Sequence, residues 1–286
     1  MSVNACNGFL KQQKEWINSQ QSNPMTIVIL NLMPNKKETE RQFLNLLDSL
    51  DAEIAVQFIY PKTHHSKHTQ AKDLAASYAT FDEIKHQQID GLIITGAPIE
   101  KLAFSEIDYI DELITIRNWA KTHVKQTINE CWAAQQGLNQ DFEIEKINLK
   151  QKLFGIYQAS YLAEENELTK YCETITMPQS RHTKSLVDEQ NLPKDLTVIA
   201  SSPEAGPFIL YSKKYHQLYI SGHPEYDTHT LHNEYLRDLN QQKKIQKPKN
   251  YDTNQQLINT WQASSQQFYQ NWSDLIKKEV LLYDTI

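Results

Sequence analysis

The residues best suited to chemistry lie in two short stretches, one with a cysteine and the other with a histidine and a glutamate. Cys131 follows the β-rich run 124–128 and precedes a stretch of helical character, so it falls where a strand turns into a helix. A helix N-terminus stabilises a thiolate and presents free backbone N–H groups, which suits a nucleophile. Farther along the chain, the sequence Gly-His-Pro-Glu at 222–225 adds a base and a carboxylate.

His223 and Glu225 supply the two groups that a cysteine nucleophile needs. The proline between them keeps the chain extended, so the two side chains are neighbours on a rigid turn. His223 can accept the Cys131 proton while Glu225 holds the imidazole in one tautomer. A lone cysteine is more often a packing residue, but the three groups together indicate catalysis. Because exchange between two thiols is nearly thermoneutral, the chemistry that suits this nucleophile is acyl transfer from a thioester.

The elements that position these groups alternate between strands and helices. The predicted strands are 26–32, 52–60, 90–96, 124–128, 153–157, 173–177, 196–200, 208–211 and 217–221, and the predicted helices are 38–50, 106–123, 227–241 and 261–278. This alternation predicts an α/β fold with a doubly wound, mostly parallel sheet, whose ligands bind at the carboxyl ends of the strands. Asn31, Gly96 and Cys131 all fall at such ends.

Length and composition favour an enzyme-sized globular protein. A chain of 286 residues with 40% hydrophobic content can bury a full core, and we predict a single domain over 25–286 after a polar N-terminal arm over 1–24. We expect this arm to be loosely docked or a short helix, with Trp16 and Ile17 as its main apolar anchors. The formal net charge of −6, without long runs of like charge, points to neither nucleic acid nor a membrane as partner.

Cysteine usage and apolar runs predict a cytoplasmic location. The three cysteines are odd in number and lack the spacing of metal ligands, which fits a reducing compartment without a disulfide. The longest apolar run, 27–30, is far too short to span a membrane. His64, His65 and His68 lie in a polar segment between 60 and 81 without an accompanying set of carboxylates or cysteines. We therefore expect a solvated loop there rather than a metal site.

Two known families resemble the site. The stretch around Cys131 and the His-Pro-Glu sequence are similar to the glutaminase domain of the class I glutamine amidotransferases. That domain usually has a glycine on both sides of its cysteine, whereas Glu130 and Ala133 stand close by here. Seven motifs between about residues 26 and 272 more closely resemble the MetA-type homoserine O-acyltransferase family. These motifs are 30–34 (Leu-Asn-Leu-Met-Pro), 38–40 (Glu-Thr-Glu), 90–98, Cys131-Trp132, 152–155 (Lys-Leu-Phe-Gly), Pro178 with Ser180-Arg181, and 222–227 (Gly-His-Pro-Glu-Tyr-Asp).

The resemblance implies a ping-pong acyl transfer from acyl-CoA. The acyl group would pass through a thioester on Cys131, with His223 as proton acceptor and Glu225 in support. It implies no metal and no bound cofactor, since the CoA thioester is a co-substrate, and relatives suggest a homodimer.

The same resemblance gives roles to four further residues. The lysine matching Lys36 lies beside the nucleophile in that family, and the residues matching Lys152, Ser180 and Arg237 bind substrate. Lys36 could stabilise an oxyanion, and Arg237 suits the carboxylate of an amino acid. Each of the three charged side chains could equally be an exposed surface group.

The position of Glu100 carries the prediction of the acyl donor. In the resembling family, a small residue here goes with succinyl transfer and a glutamate with acetyl transfer. A carboxylate occupies the space that a longer acyl chain needs and repels the negative charge of succinyl. We therefore predict acetyl-CoA.

The chain departs from the family near the predicted acceptor site. Gln158 and Ala159 follow Tyr157 where the family commonly has Glu-His, and Gln179 replaces the usual histidine before Ser180. Neutral residues in a pocket wall change which hydroxy amino acid fits. We predict L-serine as acceptor by a narrow margin, giving O-acetylserine for cysteine biosynthesis, with L-homoserine and methionine biosynthesis as the alternative. A glutamine amidotransferase-type hydrolase and a non-catalytic binding protein remain as rivals.

Overall fold

A computed structural model describes residues 2–64, 71–253, 256–257 and 259–283 of the chain. The strands in chain order are β1 (Val3–Ala5), β2 (Met25–Leu30), β3 (Ile54–Ile59), β4 (Ile89–Ile94), β5 (Val124–Glu130), β6 (Lys146–Gln158), β7 (Tyr161–Leu162), β8 (Thr176–Ser185), β9 (Thr197–Ser202), β10 (Gly206–Ser212), β11 (Gln217–Ile220), β12 (Asp252–Thr253) and β13 (Gln256–Leu257). The α-helices are α1 (Phe9–Gln12), α2 (Lys36–Asp48), α3 (Ala71–Ser77), α4 (Phe81–Ile84), α5 (Ile110–His123), α6 (Trp132–Phe142), α7 (Thr230–Asn240) and α8 (Gln262–Tyr283).

Nine strands in the described part of the chain form one sheet, in the order β1-β3-β2-β4-β5-β11-β10-β9-β7. Neighbouring strands run parallel from β1 to β11, and β10, β9 and β7 continue the sheet antiparallel. The predicted α/β fold with a mostly parallel sheet is confirmed. Leu30 pairs with Ile94, and Ile94 pairs with Asn129, so the ends of β2, β4 and β5 meet at one edge. Cys131 lies at this edge.

The continuous apolar run of β2 follows from burial on both faces of the sheet. Ile27 and Ile29 pack in one cluster with residues of α2 and α8, whereas Val28 and Leu30 pack in a second cluster with α5. Full burial of each such side chain stabilises the fold by about 1.5–3 kcal/mol. The alternation fixes which side chains of the central strands face each helix layer, because successive residues of a strand point to opposite faces.

The first residues of the chain add an edge strand that the sequence did not predict. Val3–Ala5 pairs in parallel with the start of β3, and α1 supplies the predicted short helix. Trp16 is an anchor, since its Nε1 donates to the carbonyl of Val3 at 3.1 Å. Ile17 is not an anchor because it is 72% exposed. The polar composition hid a strand whose pairing partner lies about fifty residues away in sequence.

The segment predicted as a solvated loop between 60 and 81 contains α3, whose Leu74 is buried in the core. His64 lies 3.0 Å from a carboxylate oxygen of Asp108, while His65 and His68 are outside the described residues. No group of three or more possible metal ligands occurs in the described ranges. Within the same ranges, no helix has the length and apolarity needed to cross a membrane.

Strands β6 and β8 form a separate two-stranded antiparallel sheet, which we call the hairpin although β7 lies between its strands in the chain. It lies against the loop that follows β11, because His223 donates its N–H to the carbonyl of Pro178 at 3.0 Å. The hairpin is tied to the segment before β12, because Lys249 donates its N–H to Phe154 and accepts from the N–H of Ile156. Gly155 has a φ of +140°, and a Cβ there would lie 2.4 Å from the Lys249 backbone. A glycine is therefore required at this crossing. The hairpin carries Lys152 and Ser180.

Candidate active site

Cys131 occupies a strained turn between β5 and α6. Its φ of 49° and ψ of −111° are unusual for a residue other than glycine. Its N–H donates to the carbonyl of Ile220 at 2.7 Å, which joins the turn to β11. The side chain is only 6% exposed. Such a sharp strand-to-helix turn is the geometry of a nucleophile elbow, where strain is stored to hold one side chain in place.

His223 and Glu225 lie in the loop that follows β11 and come together as predicted. Nδ1 of His223 is 2.8 Å from Oε1 of Glu225, and both side chains are buried. Burial opposes protonation of the imidazole, but the charges of Glu225 and Cys131 outweigh it and raise the pKa of His223 well above its ordinary value. The Cys131 side chain is thus close enough to influence this imidazole. The ring of Tyr226 stacks on the imidazole at 4.2 Å between centroids.

Gly96, two residues after β4, lies against both Cys131 and His223. A Cβ atom on this residue would lie 3.1 Å from Cβ of Cys131 and 3.1 Å from Cε1 of His223. These separations are tighter than ordinary van der Waals contact. The strand-end glycine noted in the sequence is therefore part of the wall of the site.

Lys36 is the first residue of α2 and is buried at the same edge of the sheet. Its Nζ donates to the carbonyl of Asn31 at 2.6 Å. Burial lowers the pKa of Lys36 to about 8, and the nearby charge of Glu40 offsets part of this effect. An amine with this pKa is still mostly protonated at pH 7, and its burial excludes the alternative of an exposed surface charge. Its predicted oxyanion role stays a prediction.

Ser180 and Lys152 meet at Glu234, a residue of α7 that the sequence did not single out. Ser180 Oγ donates to Oε2 of Glu234 at 2.5 Å, and the Tyr226 hydroxyl donates to Oε1 at 2.9 Å. Lys152 Nζ is 4.0 Å from Glu234 Oε2 and 3.2 Å from Asp238 Oδ2. The only sequence signal for Glu234 is its position one helical turn before Arg237.

Arg237 is connected to this cluster through Asp238 rather than through Glu234. Its guanidinium is 3.2 Å from Asp238 Oδ1, and its side chain is 51% exposed. Asp238 also accepts from Lys243 at 3.0 Å. Burial opposes ionisation of Asp238, but Lys243, Lys152 and Arg237 outweigh it and lower its pKa to about 2. The substrate-binding role predicted for Arg237 stays a prediction.

Glu100 is half-buried in the loop after β4, and its backbone carbonyl accepts from Lys146 Nζ at 2.7 Å. Its charge acts on His182, which stands two residues after Ser180 on β8. Burial and the charge of Lys101 lower the pKa of His182, while Glu100 opposes the change. Lys152 acts on the same imidazole, so Glu100 and Lys152 both lie close enough to His182 to influence its charge. The sequence did not single out His182.

Arg181 is a buried cation near Cys131. Its guanidinium donates to three neutral oxygens, those of Gln179 Oε1, Thr183 O and Ala205 O, at 2.7–2.9 Å. No carboxylate lies within ion-pair distance of it in the described part of the chain. Burial lowers the pKa of Arg181 to about 10, and the charge of Cys131 opposes this shift. A negative charge on Cys131 would therefore have this guanidinium as its counter-charge.

The three departures from the family pattern do not form one pocket wall. Gln158 is exposed and bonds to Thr174, whereas Ala159 is buried in the core. Gln179 is buried, where it accepts from Arg181 and donates to Ser221 Oγ at 3.2 Å. Because Gln158 is exposed and Ala159 is buried in the core, the changes at these two positions give no physical reason for a changed acceptor.

Solved structures place this arrangement in a known class of fold. A glutamine amidotransferase from Thermotoga maritima superposes with a TM-score of 0.59 at 10% identity, covering 90% of this chain and 99% of that one. A putative GMP synthase subunit from Thermoplasma acidophilum superposes with a TM-score of 0.59 at 15% identity, covering 92% of this chain and 100% of that one. The fold is thus of the class I glutamine amidotransferase type, with a cysteine elbow at the carboxyl edge of its sheet.

Sequence relatives define the family more narrowly. The homoserine O-succinyltransferase family model matches residues 5–280. Homoserine O-acetyltransferases from Clostridium tetani and Bacillus subtilis are each 40% identical, covering 87% of this chain and 84% of the relative. A homoserine O-acetyltransferase from Lachnoclostridium phytofermentans is 38% identical, covering 97% of this chain and 94% of the relative. The chain belongs to the homoserine O-succinyltransferase family and is an acyltransferase, which confirms the resemblance noted from its motifs.

Proposed function

We propose that the protein transfers an acetyl group from acetyl-CoA to the hydroxyl of L-homoserine, for methionine biosynthesis. The observation that carries this proposal is the strained Cys131 turn beside the hydrogen-bonded pair of His223 and Glu225. The choice of homoserine is supported by relatives named homoserine O-acetyltransferase at about 40% identity. These relatives do not support the narrower prediction of L-serine, which relied on three substitutions that form no common surface.

The first half-reaction loads the enzyme. The Cys131 thiolate attacks the thioester carbonyl of acetyl-CoA, a tetrahedral oxyanion forms, and the C–S bond to CoA breaks. The departing CoA thiolate takes the proton from the His223 imidazolium. Glu225 stabilises that imidazolium and fixes its tautomer through Nδ1. The products are acetyl-Cys131 and free CoA.

The second half-reaction transfers the acetyl group. The acceptor hydroxyl gives its proton to His223 as its oxygen attacks the acetyl-thioester, and the Cys131 thiolate leaves. Backbone N–H groups at the start of α6, and in our proposal Lys36, stabilise the oxyanion in both steps. Arg181 balances the charge of the thiolate each time that it forms.

The acceptor is held by the cluster around Glu234. Its ammonium would bind the Glu234 carboxylate, which Ser180 and Tyr226 orient. Its carboxylate would bind the cations Lys152 and Arg237, which suit a carboxylate through charge and paired N–H groups.

Glu100 selects the acyl donor in this proposal. Its carboxylate lies in the loop that follows β4, in the same charged environment as His182 and Lys146. A succinyl group would bring a second carboxylate to this loop and meet like-charge repulsion. Acetyl carries no charge and takes less space.

Intact-mass spectrometry tests the proposal. Mixing with acetyl-CoA should add one acetyl group, which C131S should abolish and C172S, a matched change of a half-buried cysteine, should leave intact. L-homoserine should then discharge the acetyl-enzyme. Absence of the adduct, or ammonia release from glutamine, would reject acyl transfer, and a tenfold preference for L-serine in kcat/KM would reject homoserine.

A further inference from the structure

Glu130 is a second carboxyl group beside the catalytic pair, and the proposed mechanism does not use it. It is the last residue of β5, adjacent to Cys131 in the chain, and its exposed fraction is 0%. Its Oε1 accepts a 2.5 Å hydrogen bond from the hydroxyl of Tyr269, on α8. A fully buried carboxyl group next to a nucleophile is costly unless it is paired or neutral.

The surroundings of Glu130 favour the neutral form. No cation forms an ion pair with it in the described ranges, and its Oε2 is buried there without a hydrogen-bond partner. The titratable groups that act on it are Glu225, Tyr269, His223 and Cys131. Burial raises the pKa of Glu130 well above its ordinary value, and the charge of Glu225 raises it further. Two buried carboxyl groups that repel one another do not both ionise.

Glu225 also has a carboxylate oxygen without a hydrogen-bond partner among the described residues. Its Oε1 bonds to His223, but its Oε2 is buried without a hydrogen-bond partner among the described residues. An unsatisfied buried acceptor costs about 1–3 kcal/mol. A proton on Glu130 gives this buried cluster a donor, and the unsatisfied Oε2 of Glu225, whose charge acts on Glu130, is an acceptor for it.

We propose that Glu130 is a positioning residue for the proton relay formed by His223 and Glu225. It is a carboxylic acid, protonated at neutral pH, that donates a hydrogen bond towards Glu225 and leaves Glu225 as the single charged carboxylate beside His223. Tyr269 orients this acid by donating to its other oxygen. The inference rests on the proposed function, since the relay has a role only if His223 moves protons during acyl transfer.

The protonation state has a direct consequence for the relay. With Glu130 neutral, the imidazolium of His223 faces one carboxylate and can return its proton to the departing CoA thiolate. A second negative charge in the same buried space would hold that proton more tightly and slow its return. The neutral acid therefore keeps Glu225 in place without adding charge.

Three variants and one control test this role in the full-length protein. E130Q keeps a neutral group that both donates and accepts, E130L removes both functions, and Y269F removes the hydroxyl that orients Glu130. Y219F is the matched control, because Tyr219 is also buried and donates to a buried carboxylate, that of Asp141, at 2.6 Å. The readouts are the rate of Cys131 acetylation by acetyl-CoA and the infrared C=O stretch of protonated carboxyl groups at neutral pH.

We expect acetylation of E130Q at pH 7 to be within about threefold of the wild-type rate. Acetylation of E130L should be slower by tenfold or more, because this variant leaves the buried Oε2 of Glu225 without a donor. We expect E130Q, but not Y219F, to remove one protonated-carboxyl band. Y269F should shift that band and slow acetylation more than Y219F does. The proposal would be overturned if E130Q were acetylated as slowly as E130L, or if E130L were acetylated at the wild-type rate. An unchanged infrared band in E130Q would also overturn it.

Thermal unfolding gives a readout that does not require E130L to fold. An acid whose pKa is raised in the folded state stabilises the protein below its unfolded pKa of 4.5, and this stability is lost as the pH rises through the folded-state value. The Tm of E130Q relative to wild type should therefore increase with pH above 4.5. A constant difference would contradict protonation of Glu130. If wild type failed to acetylate, the proposed function would fall, while the infrared and thermal tests would still report the state of Glu130.

Discussion

The hydroxyl of Ser180 donates a 2.5 Å hydrogen bond to the carboxylate of Glu234, although the two residues lie 54 positions apart in the sequence. The bond joins the hairpin of β6 and β8 to the helix that follows the His-Pro-Glu loop. A serine, a tyrosine and a lysine thus converge on one carboxylate close to the proposed catalytic groups. The proposed acceptor site is built at this junction.

E234Q and S180A should impair the use of homoserine while leaving acetylation of Cys131 within about threefold of wild type. Hydrogen bonds to a charged group contribute about 1.5–3 kcal/mol, so KM for homoserine should rise by roughly 10–100-fold in E234Q. S49A is a control, because Ser49 makes a similar bond to a backbone carbonyl at the end of α2. Equal loss in both half-reactions would contradict an acceptor role. Separate measurement of acetyl-enzyme formation and discharge distinguishes these outcomes.

G96A should slow the first half-reaction by tenfold or more. The added Cβ would lie 3.1 Å from both Cys131 and His223, so one or both must shift by a few tenths of an ångström, which changes the separation of the thiol and the imidazole. Small misplacements of reacting groups have large effects on rate, about 100-fold for 1 Å. Single-turnover acetylation measures the effect, and urea unfolding shows whether the fold is kept. A wild-type rate would mean that Gly96 does not set this separation.

E225Q should lower kcat by roughly 10²–10⁴, the range expected when a triad acid loses its charge. It should also flatten the pH dependence of stability. Burial opposes the charged imidazole, but Glu225 and Cys131 raise the pKa of His223 well above its ordinary 6.5. Protonated His223 therefore stabilises wild type fully below pH 6.5, and this contribution is lost as the pH rises through the folded-state pKa. Urea unfolding from pH 6 to 9 should show a smaller decline in E225Q than in wild type.

The sequence predicted those parts of the fold that depend on local patterns. The run in β2 is apolar because both faces of the strand are buried, and the elbow at Cys131 follows from a strand that meets a helix. The strand β1 was missed because three residues in a polar segment give no periodic signal, and its pairing with β3 is non-local.

The site was predictable where its residues are neighbours in sequence and not where they come from separate elements. His223 and Glu225 are two residues apart, so their hydrogen bond follows from the rigid turn between them. The importance of Glu234 is visible only from its hydrogen bonds to Ser180 and Tyr226, which come from the hairpin and from the loop after β11. Glu130 looked like a departure from an elbow motif, and its buried bond to Tyr269 depends on how α8 packs on the sheet.

R181M should reduce the reactivity of Cys131 more than R181K does. Arg181 is buried among neutral oxygens, and a negative charge on Cys131 would have it as counter-charge. Methionine removes the positive charge, whereas lysine keeps it and loses only the forked geometry. We expect alkylation of Cys131 by iodoacetamide at pH 7 to fall about tenfold in R181M relative to R181K. R117K, at a buried arginine paired with Asp141, is the control for general loss of stability. Equal alkylation rates in the two Arg181 variants would reject the electrostatic role.

E100A should shift the choice of acyl donor from acetyl-CoA towards succinyl-CoA. In the proposed function, the carboxylate of Glu100 fills space and repels the second negative charge of the succinyl group, so its removal should lower the barrier to that donor. A like-charge contact at a partly screened site is worth at least about 1.4 kcal/mol, so the ratio of kcat/KM for succinyl-CoA over acetyl-CoA should rise by tenfold or more. E106A is the matched control, since Glu106 lies near Lys146 as Glu100 does but bonds to Ala103 within its own loop. A rise in both variants would trace the effect to Lys146, and a rise in neither would remove Glu100 from donor selection.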